Sequence, residues 1–381
     1  MIQRTHWIQK IQELWQQRSI VWLSGVRRVG KTVLCGQIEE GRYFNCDLPS
    51  TQRQMADPEF FLSQQPDDAT IILDEVHRLD EPTVLLKIGA DVFPDMKFLA
   101  TGSSTLAATE KFRDTLTGRK FSVHLFPVLW RECLGNFGVR DFDYRLIRGG
   151  FPERLLNADL GPSYFEEWLD SFFSRDISEL FGVRNRTGFI ALFKLLCLRS
   201  GGQLDITDLA SEAEISRPTV HSYLDAMEIS NAIVRIPPFH GGGHREITRQ
   251  RRVYAFDTGI VAHVRGWDSI RESDRGHLWE HMVLDELRDH FASSCLHYWR
   301  DKSKREVDFV IDRTEGAVDT VEAKVNPDAF NVKSLTVFRE HYPEGKNVLM
   351  CPFVDAPYAI RRGGQEITIC STQHIEEVFQ Q

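Results

Sequence analysis

An eight-residue segment near the start of the chain has the residue types and spacing of a phosphate-binding loop. Its sequence, Gly25-Val26-Arg27-Arg28-Val29-Gly30-Lys31-Thr32, fits the pattern G-x-x-x-x-G-K-[ST], and Val33 continues it into a helical stretch. Glycines let the backbone curl so that successive N–H groups point at phosphate oxygens, and the following helix adds its positive end. Lys31 is placed to reach the β- and γ-phosphates and Thr32 to bind Mg²⁺. The segment therefore predicts a nucleotide site.

Two carboxylates follow a neighbouring apolar run. Ser19–Ser24 leads into the loop and reads as a buried parallel strand, and Ala69–Leu73 is a similar strand that ends in Asp74 and Glu75. In open α/β sheets ligands bind at the carboxyl edge of the strands. We therefore assign Asp74 to the Mg²⁺ shell and Glu75 to positioning or deprotonating the attacking water, which favours nucleotide hydrolysis over storage.

A third apolar strand carries hydroxyls to the same edge. Met96–Thr101 runs into Gly102-Ser103-Ser104, so a serine there could touch the γ-phosphate or the water. Ser103 is the predicted contact, and an ordinary loop serine is the alternative.

A second group of chemistry-bearing residues lies in the last hundred positions. Glu306–Ile311 and Thr320–Val325 both alternate apolar and charged residues, which predicts two strands with one buried face each. Antiparallel pairing would bring Asp308 beside Glu322 and Lys324. Two carboxylates and a lysine suit Mg²⁺-assisted phosphodiester hydrolysis, with Mn²⁺ as an alternative metal. The competing interpretation is a solvated hairpin face.

A preceding helix adds two further candidates. It is predicted over Arg275–Phe291, and its Glu280 could supply another carboxylate to the metal. The same helix contains His277-Leu278-Trp279-Glu280-His281, which matches the zinc-protease pattern H-x-x-E-H. No third ligand supports a zinc site, so locally satisfied histidines are the favoured interpretation.

The middle of the chain has a sequence pattern typical of a helix-turn-helix. A helix over Ile206–Ala213, with Thr207 or Asp208 near its cap, is followed by a tight turn and a second helix over Pro218–Ile229. The second helix would be the nucleic-acid reader. Its candidate contacts lie near its start and are Arg217, Thr219, His221 and Ser222.

A wing is predicted after this reader helix. Ile233–Ile236 and Arg252–Phe256 are the predicted strands, and Gly241-Gly242-Gly243 is part of the tip. The predicted phosphate contacts are Arg235, Arg245, Arg249, Arg251 and Arg252. Winged helices also serve as protein docking modules or spacers, which is the alternative.

Composition fits an intracellular enzyme. The chain has 381 residues, a net charge of −9 and seven scattered cysteines, which favour free thiols in a reducing compartment. The N-terminus lacks the apolar core of a signal peptide, and no apolar run has the length of a membrane span. We expect a cytoplasmic protein without a membrane partner, whose nucleic-acid contacts come from local basic patches.

The predicted fold is α/β and multidomain. Residues 1–150 would form a P-loop NTPase sheet, 151–187 a helical lid or connector, 188–270 a winged helix-turn-helix, and 271–381 an α/β restriction-endonuclease-like domain.

The order of motifs resembles a prokaryotic family of AAA-type ATPases with a winged-helix segment and a C-terminal domain related to the PD-(D/E)xK nucleases. The resemblance spans almost the whole chain. It is carried, in order, by GVRRVGKT, IILDEVHRL, FLATGSS, LTGRKFSVHLFPVLWRE, RGGFPE, SRDISEL, YAFDTGI, GHLWEHMVLDEL, YWRDKSKREVDFVID and VEAK.

The resemblance implies roles for further residues. Arg119 matches a family arginine suited to sensing the γ-phosphate, in cis or from a neighbouring subunit. The nuclease-like residues carry over as Glu280, Asp308, Glu322 and Lys324. Two departures are Val307, where the family pattern has proline, and His281, where it often has an amide residue. Neither departure removes a ligand.

These observations predict an ATP-binding and ATP-hydrolysing switch or motor coupled to nucleic acid, with DNA favoured, and to a Mg²⁺-dependent nuclease acting in defence against, or maintenance of, mobile DNA. The alternative is an ATP-controlled regulator or scaffold whose C-terminal domain binds nucleic acid or protein without cleaving. Rings are common in this ATPase class, so a homo-oligomer is one assembly open to the chain.

Overall fold

The structure, a computed structural model, describes residues 2–102, 106, 110–241, 250–313 and 316–380. Ser103, Arg245 and Arg249 lie outside the described residues. The chain divides into two compact units, neither of which is one continuous stretch. The first unit consists of Met1–Pro127, Glu166–Arg184 and Asp225–Ala232, and the second of Val128–Phe165, Asn185–Leu224 and Ile233–Gln381.

The first unit contains a parallel sheet with the strand order β2-β3-β4-β1-β5. Its strands are β1 (Ile20–Ser24), β2 (Gly41–Asn45), β3 (Thr70–Asp74), β4 (Lys97–Thr101) and β5 (Lys120–His124). Its helices are α1 (Thr5–Trp15), α2 (Lys31–Cys35), α3 (Pro49–Gln54), α4 (Pro58–Ser63), α5 (Pro82–Val92) and α6 (Glu110–Leu116). The three strands that the sequence predicts agree with β1, β3 and β4 to within one residue at each end.

The central strands are apolar because both faces of the sheet are covered. The side chains of β1 are buried from Ile20 to Leu23, and those of β4 from Phe98 to Thr101. In register, Leu23 of β1 pairs with Thr101, and Leu73 of β3 pairs with Ala100. The phosphate loop after β1 and the acids at the end of β3 therefore meet at one edge, with the end of β4 between them.

The chain then forms α7 (Trp130–Leu134), α8 (Phe142–Arg148) and α9 (Pro152–Leu156) of the second unit. A continuous helical stretch follows. It consists of α10 (Ser163–Ser171), a π-helical segment Phe172–Ser178 and α11 (Glu179–Phe181). The sequence predicts this helix, but its π-helical segment was not foreseen.

The two helices and two strands that the sequence predicts in the middle of the chain are present, preceded by a further helix. They are α12 (Arg186–Leu198), α13 (Ile206–Glu212), α14 (Arg217–Ile229), and the antiparallel pair β6 (Ile233–Ile236) and β7 (Arg252–Ala255). The cap of α13 is Asp205, whose carboxylate accepts from Thr207 N at 2.8 Å and Asp208 N at 3.1 Å. Thr207 and Asp208 therefore lie next to the cap, as the sequence predicts, and the capping carboxylate itself lies two residues before Thr207.

The C-terminal part forms a mixed sheet with the order β12-β13-β11-β10-β9-β8. Its strands are β8 (Leu296–Arg300), β9 (Glu306–Asp312), β10 (Val318–Ala323), β11 (Asn347–Met350), β12 (Tyr358–Arg362) and β13 (Gln365–Cys370). Its helices, with the one that precedes them, are α15 (Thr258–Val264), α16 (Glu272–His290), α17 (Lys333–His341) and α18 (Ile375–Gln380). As predicted, β9 and β10 are antiparallel, with Phe309 opposite Val321.

Two motifs of the sequence serve the architecture of the second unit. Asp257 of YAFDTGI caps α15 by accepting from Gly259 N at 2.8 Å, and it also accepts from Gly150 N of RGGFPE at 2.6 Å. Gly149 has φ +77°, and a Cβ there would lie 2.1 Å from Asp257 Oδ1. The paired glycines and the aspartate are therefore explained by this close approach of two loops.

Along the described stretches, no helix combines the length and the apolar character that crossing a membrane requires. The seven cysteines are free, and six of them are buried.

Candidate functional site

The phosphate loop has the backbone conformation that its glycines predict. Gly25 and Gly30 have φ of +145° and +101°, and Arg28 between them is also left-handed, at +65°. A Cβ on Gly25 would lie 2.6 Å from Leu125 O, so this position requires glycine. Lys31 begins α2, and its Nζ donates to Gly25 O at 2.8 Å and to Val26 O at 3.2 Å. The lysine ammonium is thus held beside the loop that would enclose a phosphate.

The charge of Lys31 is set by opposing effects. Burial lowers the pKa of the lysine, while the nearby carboxylates of Glu75 and Asp176 raise it. A phosphate bound in the loop would add negative charge and favour the ammonium form in the same way.

Asp74 is fixed by two hydroxyl groups. Thr101 Oγ1 donates to Asp74 Oδ1 at 2.5 Å, and Tyr43 OH donates to Asp74 Oδ2 at 2.8 Å. Burial and this contact with Asp74 raise the pKa of Tyr43, so the phenol stays protonated and remains a donor. Neither Tyr43 nor Thr101 was identified from the sequence, because both occupy ordinary strand positions.

Glu75 occupies a left-handed turn directly after β3, with φ +57° and ψ +43°. Its backbone N–H donates to Thr101 Oγ1 at 3.0 Å, and its carboxylate lies 3.2 Å from His77 Nδ1. The hydrogen bond with His77 lowers the pKa of Glu75, with a smaller contribution from Lys31. The carboxylate is therefore ionised at neutral pH, as a water-positioning group must be.

Arg27 of the phosphate loop forms an ion pair that the sequence did not suggest. Arg27 Nε donates to Asp176 Oδ2 at 2.6 Å, and Trp168 Nε1 donates to Arg27 O at 3.1 Å. Asp176 belongs to the motif SRDISEL, for whose residues the sequence analysis predicts no role.

The position of Arg119 rules out its action in cis. Lys120 pairs with Ile20 at the start of β1, so Arg119 lies at the amino edge of the sheet, about 15 Å from the edge that carries the phosphate loop. Its guanidinium binds Asp91, with Nε–Oδ1 at 2.6 Å and Nη2–Oδ2 at 3.0 Å. The expectation of a contact with the γ-phosphate of the same subunit is therefore wrong, whereas a role across subunits stays a prediction.

In the second unit, Asp308, Glu322 and Lys324 come together as the sequence predicts. Lys324 Nζ lies 2.7 Å from Asp308 Oδ2 and 3.0 Å from Glu322 Oε2, and Ala323 N donates to Asp308 Oδ2 at 3.0 Å. Both carboxylates are buried, at 7% and 6% exposure, so the solvated hairpin face is not what the structure shows.

Burial gives the two acids of this cluster different protonation tendencies. Burial favours the neutral form of Asp308, but the ammonium of Lys324 outweighs it and lowers the pKa of Asp308. Burial and the neighbouring Asp308 raise the pKa of Glu322 well above its usual range. Within the cluster, protonation is therefore favoured on Glu322 over Asp308.

Glu280 has partners that the sequence did not indicate. Tyr254 OH donates to Glu280 Oε1 at 2.5 Å, and Arg252 Nη1 donates to the same oxygen at 3.3 Å. The other terminal nitrogen of Arg252, Nη2, lies 2.8 Å from Glu306 Oε2. Burial and then Asp308 raise the pKa of Glu280 to about 7. Arg252 is only 4% exposed, so the expectation that it contacts phosphate on a wing surface is wrong. The hairpin strand β7 instead contributes two side chains to the carboxylate region.

The histidines of the H-x-x-E-H pattern pack against each other. The rings of His277 and His281 lie edge to face with centroids 5.3 Å apart, and burial lowers the pKa of both. Within the described ranges, no three or more His, Cys, Asp or Glu side chains are arranged to hold a metal ion. The predicted metal ligands Thr32, Asp74, Glu280, Asp308 and Glu322 remain predictions.

The start of α14 presents polar side chains. Arg217, His221 and Ser222 are exposed. Thr219 is half-buried, and its hydroxyl lies 2.7 Å from Ser216 Oγ, which caps the helix.

The chain is similar to proteins from bacteria and archaea. An uncharacterized protein of Mycobacterium tuberculosis is 26% identical over 82% of this chain and 72% of its own length, and one of Methanocaldococcus jannaschii is 23% identical over 75% and 70%. Among solved structures, the Walker-type ATPase of Pyrococcus abyssi is 16% identical, with a TM-score of 0.45 over 70% of this chain and 96% of its own. The ORC1 protein of Aeropyrum pernix in complex with DNA is 11% identical, with a TM-score of 0.31 over 70% and 92%.

Three family models match successive parts of the chain. Residues 139–271 match a domain of unknown function (DUF8612), residues 275–370 another (DUF4143), and residues 17–134 match the AAA domain. The last match contains the phosphate loop, Lys31 and the acids Asp74 and Glu75 described above. Residues 17–134 are therefore an AAA-type P-loop ATPase domain.

Proposed function

We propose that the chain is an ATP-driven switch whose nucleotide state controls a Mg²⁺-dependent, nucleic-acid-directed nuclease site in the second unit. The observation that carries this proposal is the buried cluster in which Lys324 lies within hydrogen-bond distance of Asp308 and Glu322. Burying a lysine between two acids on paired strands carries a large desolvation penalty, so such a cluster contributes little to the stability of the fold. Such a cost is typical of functional sites.

The donor chemistry of both sites fits Mg²⁺, which prefers oxygen ligands. In the ATPase domain, Thr32 and Asp74 would hold the ion, and in the second unit Asp308 and Glu322 would, with Mn²⁺ as the alternative metal there. The bound ion would neutralise charge that develops on phosphate oxygens.

The residues of the chain supply the remaining chemistry. At the first site the ionised Glu75 orients a water and Lys31 binds the phosphates. At the second, Lys324 stays charged because Asp308 and then Glu322 offset the cost of its burial, so it can orient a water or bind the scissile phosphate. A bound Mg²⁺ would favour the ionised form of Glu322, which is the form that acts as a ligand.

Nucleic acid, with DNA favoured over RNA, would bind at α13, α14 and the β6–β7 pair in the manner of a winged helix. The exposed Arg217, His221 and Ser222 at the start of α14 support this proposal, because reader helices enter a major groove with their first turns. A role in defence against, or maintenance of, mobile DNA would follow from such an activity.

Plasmid cleavage tests the nuclease. Full-length protein is incubated with supercoiled plasmid and Mg²⁺ or Mn²⁺, with and without ATP. We expect nicking by the wild-type protein and its loss in Asp308→Asn, which removes one charge from the cluster. The matched control is Glu366→Gln, an exposed acid of the same sheet, which should cut like the wild type. Equal cleavage by Asp308→Asn would assign the nicking to a contaminant.

A second candidate function is an ATP-controlled regulator or scaffold that binds nucleic acid or protein without cutting. It is favoured by the fact that, in the described part of the chain, no group of three or more metal-binding side chains is assembled. Plasmid left intact under all metals and nucleotides, together with ATP-dependent retention of DNA on a filter, would support this candidate over the nuclease.

A further inference from the structure

One helical stretch contacts the phosphate loop at a single residue in two ways. Asp176 binds the Arg27 guanidinium at 2.6 Å, and the Trp168 indole N–H binds the Arg27 carbonyl at 3.1 Å. Arg27 stands between the two glycines of the loop, where its neighbours are the amides that would surround a phosphate. The stretch Glu166–Arg184 belongs to the same compact unit as the loop. The geometry around Arg27 is therefore set from outside the G-x-x-x-x-G-K-T segment.

The local structure of this stretch determines where Asp176 points. The segment Phe172–Ser178 is π-helical, and the ring of Trp168 stacks on that of Phe172 with centroids 4.8 Å apart and planes 9° from parallel. The wider helix changes its carbonyl pairing, and Ser174 Oγ donates to Asp170 O at 2.8 Å. π-Helical segments often mark functional positions. Because Phe172 and Ile177 are fully buried, the backbone that carries Asp176 is anchored on both sides.

The pair adds a negative charge beside a site for anions. The Asp176 and Arg27 side chains are 24% and 30% exposed, so the ion pair is partly shielded from water. Asp176 also acts on Lys31, whose pKa it raises second only to Glu75 among the nearby carboxylates. A triphosphate and Asp176 therefore compete for the same cations. A γ-phosphate can offer a guanidinium the two-pronged contact that arginine prefers.

We propose that Asp176 sets the affinity of the phosphate loop for triphosphate by competing with the γ-phosphate for Arg27. Binding of the triphosphate then exchanges one anion for another on Arg27, and the Arg27–Asp176 pair breaks. The affinity for ATP is lower than the loop alone would give, and the difference is larger for ATP than for ADP, which lacks the γ-phosphate. Asp176 is a positioning residue in this scheme, and the proposal rests on the ATPase function assigned above.

The same stretch offers a matched control. Glu179, one residue beyond the π-helical segment, pairs with Arg78 at 3.6 Å, and both side chains are about half exposed, at 53% and 43%. Arg78 follows the Asp74-Glu75 turn but has no place in the phosphate loop. Glu179→Gln therefore removes the same charge from the same stretch without touching Arg27.

Calorimetric titration of the full chain with ATP and ADP in Mg²⁺ tests the competition. We expect Asp176→Asn to bind ATP about threefold to fivefold more tightly than the wild type, which is the effect of losing one partly exposed ion pair. The gain for ADP should be smaller than twofold, and Glu179→Gln should match the wild type for both nucleotides. In steady-state turnover, KM for ATP should fall in Asp176→Asn while kcat does not rise.

A second pair of variants keeps the proposal falsifiable if one of them folds poorly. Asp176→Ala must change ATP affinity in the same direction as Asp176→Asn, because both remove the charge. In an Arg27→Met background, Asp176→Asn should have a much smaller effect, because only its weaker action on Lys31 is left, and such a reduction is expected of coupled residues. Unchanged or weaker ATP binding by both Asp176 variants, or an equal gain for ATP and ADP, would overturn the competition. No binding by any variant, including the wild type, would instead overturn the ATPase assignment.

Discussion

At the scale of single residues, Thr101 connects the two acids of the ATPase site. Its hydroxyl donates to Asp74 Oδ1 at 2.5 Å and accepts from Glu75 N at 3.0 Å, and the residue is fully buried. One hydroxyl thus orients the carboxylate assigned to Mg²⁺ and the backbone of the residue assigned to the water. Because β4 is the neighbour of β3 in the sheet, Thr101 at the end of β4 lies beside the acids at the end of β3.

We predict that Thr101→Val slows ATP turnover in a protein that still folds. Valine keeps the shape of threonine but leaves the Glu75 N–H without its acceptor, which costs about 1 to 3 kcal/mol of unfolding free energy. The turnover number for ATP should fall about tenfold or more, corresponding to about 1.4 kcal/mol of misplaced charge. Phosphate release and urea unfolding measure the two effects.

The control for this prediction is Thr70→Val at the opposite end of β3, where the hydroxyl is far from the acids. Glu75→Gln provides the reference for retained binding with slow hydrolysis. A Thr101→Val protein with wild-type turnover would show that the hydroxyl has no part in placing the acids.

The residues of the ATPase site differ in how readily they can be identified from the sequence alone. The position of Asp74 and Glu75 at the edge of the sheet could be predicted because they interrupt an apolar run at its end. Thr101 could not, because a threonine in a buried strand has the same pattern as a structural β-branched residue. Tyr43 likewise lies in β2, whose side chains are partly exposed, and nothing local indicates that its hydroxyl reaches Asp74.

At the scale of elements, α16 carries acids on its buried side. Glu286 is fully buried, and Arg131 Nε lies 3.2 Å from Glu286 Oε2. Burial raises the pKa of Glu286 to about 7 despite the ion pair with Arg131. Since an unfolded glutamate titrates near pH 4.3, this group makes the stability of the second unit depend on pH.

The sign of that dependence follows from the raised pKa. The protonated form of Glu286 is favoured in the folded state, so its contribution is complete below about pH 4 and is lost as the pH rises through 7. Wild-type protein should therefore lose about 1 kcal/mol of unfolding free energy from this group between pH 6 and pH 8. In Glu286→Gln, a neutral isostere, that part of the loss should disappear.

Urea unfolding at the two pH values measures the difference. The exposed Glu340→Gln of α17 is the control and should keep the wild-type pH dependence. A pH dependence that Glu286→Gln does not reduce would mean that the carboxylate is already ionised in the folded protein at pH 6.

The sequence predicts the elements that sequence periodicity determines. It does not predict the features that depend on tertiary contacts. β9, β10 and α14 follow from alternation, caps and helical spacing. The π-helical segment Phe172–Ser178 does not, because its apolar spacing is compatible with an ordinary helix. In the structure the ring of Trp168 stacks on that of Phe172 at the start of this segment. The burial of Arg252 was not predicted, because an arginine-rich strand has the same sequence pattern as a solvent-exposed wing. Only the structure shows that its partners are Glu280 and Glu306.

At the scale of the whole molecule, the chain returns to its first unit after leaving it. Residues of the stretch Glu166–Arg184 belong to that unit, although Val128–Phe165 before them belong to the second. The returning stretch contributes apolar side chains that are at most 6% exposed. They are Trp168, Phe172, Phe173 and Ile177. A sequence boundary near residue 150 would therefore separate the phosphate loop from the residues that contact Arg27.

We predict that a fragment ending at residue 150 neither folds cooperatively nor binds ATP like the full chain. Burying four large apolar side chains is worth about 6 to 12 kcal/mol, which is comparable with the whole stability of a typical domain. The fragment also lacks both partners of Arg27. Circular dichroism melting and ATP titration of the fragment and the full chain measure these losses. Full-length Lys31→Ala, which should fold but bind no ATP, separates lost binding from lost folding. A fragment with the melting temperature and ATP affinity of the full chain would show that residues 1–150 form a self-sufficient domain and that the returning stretch is dispensable to it.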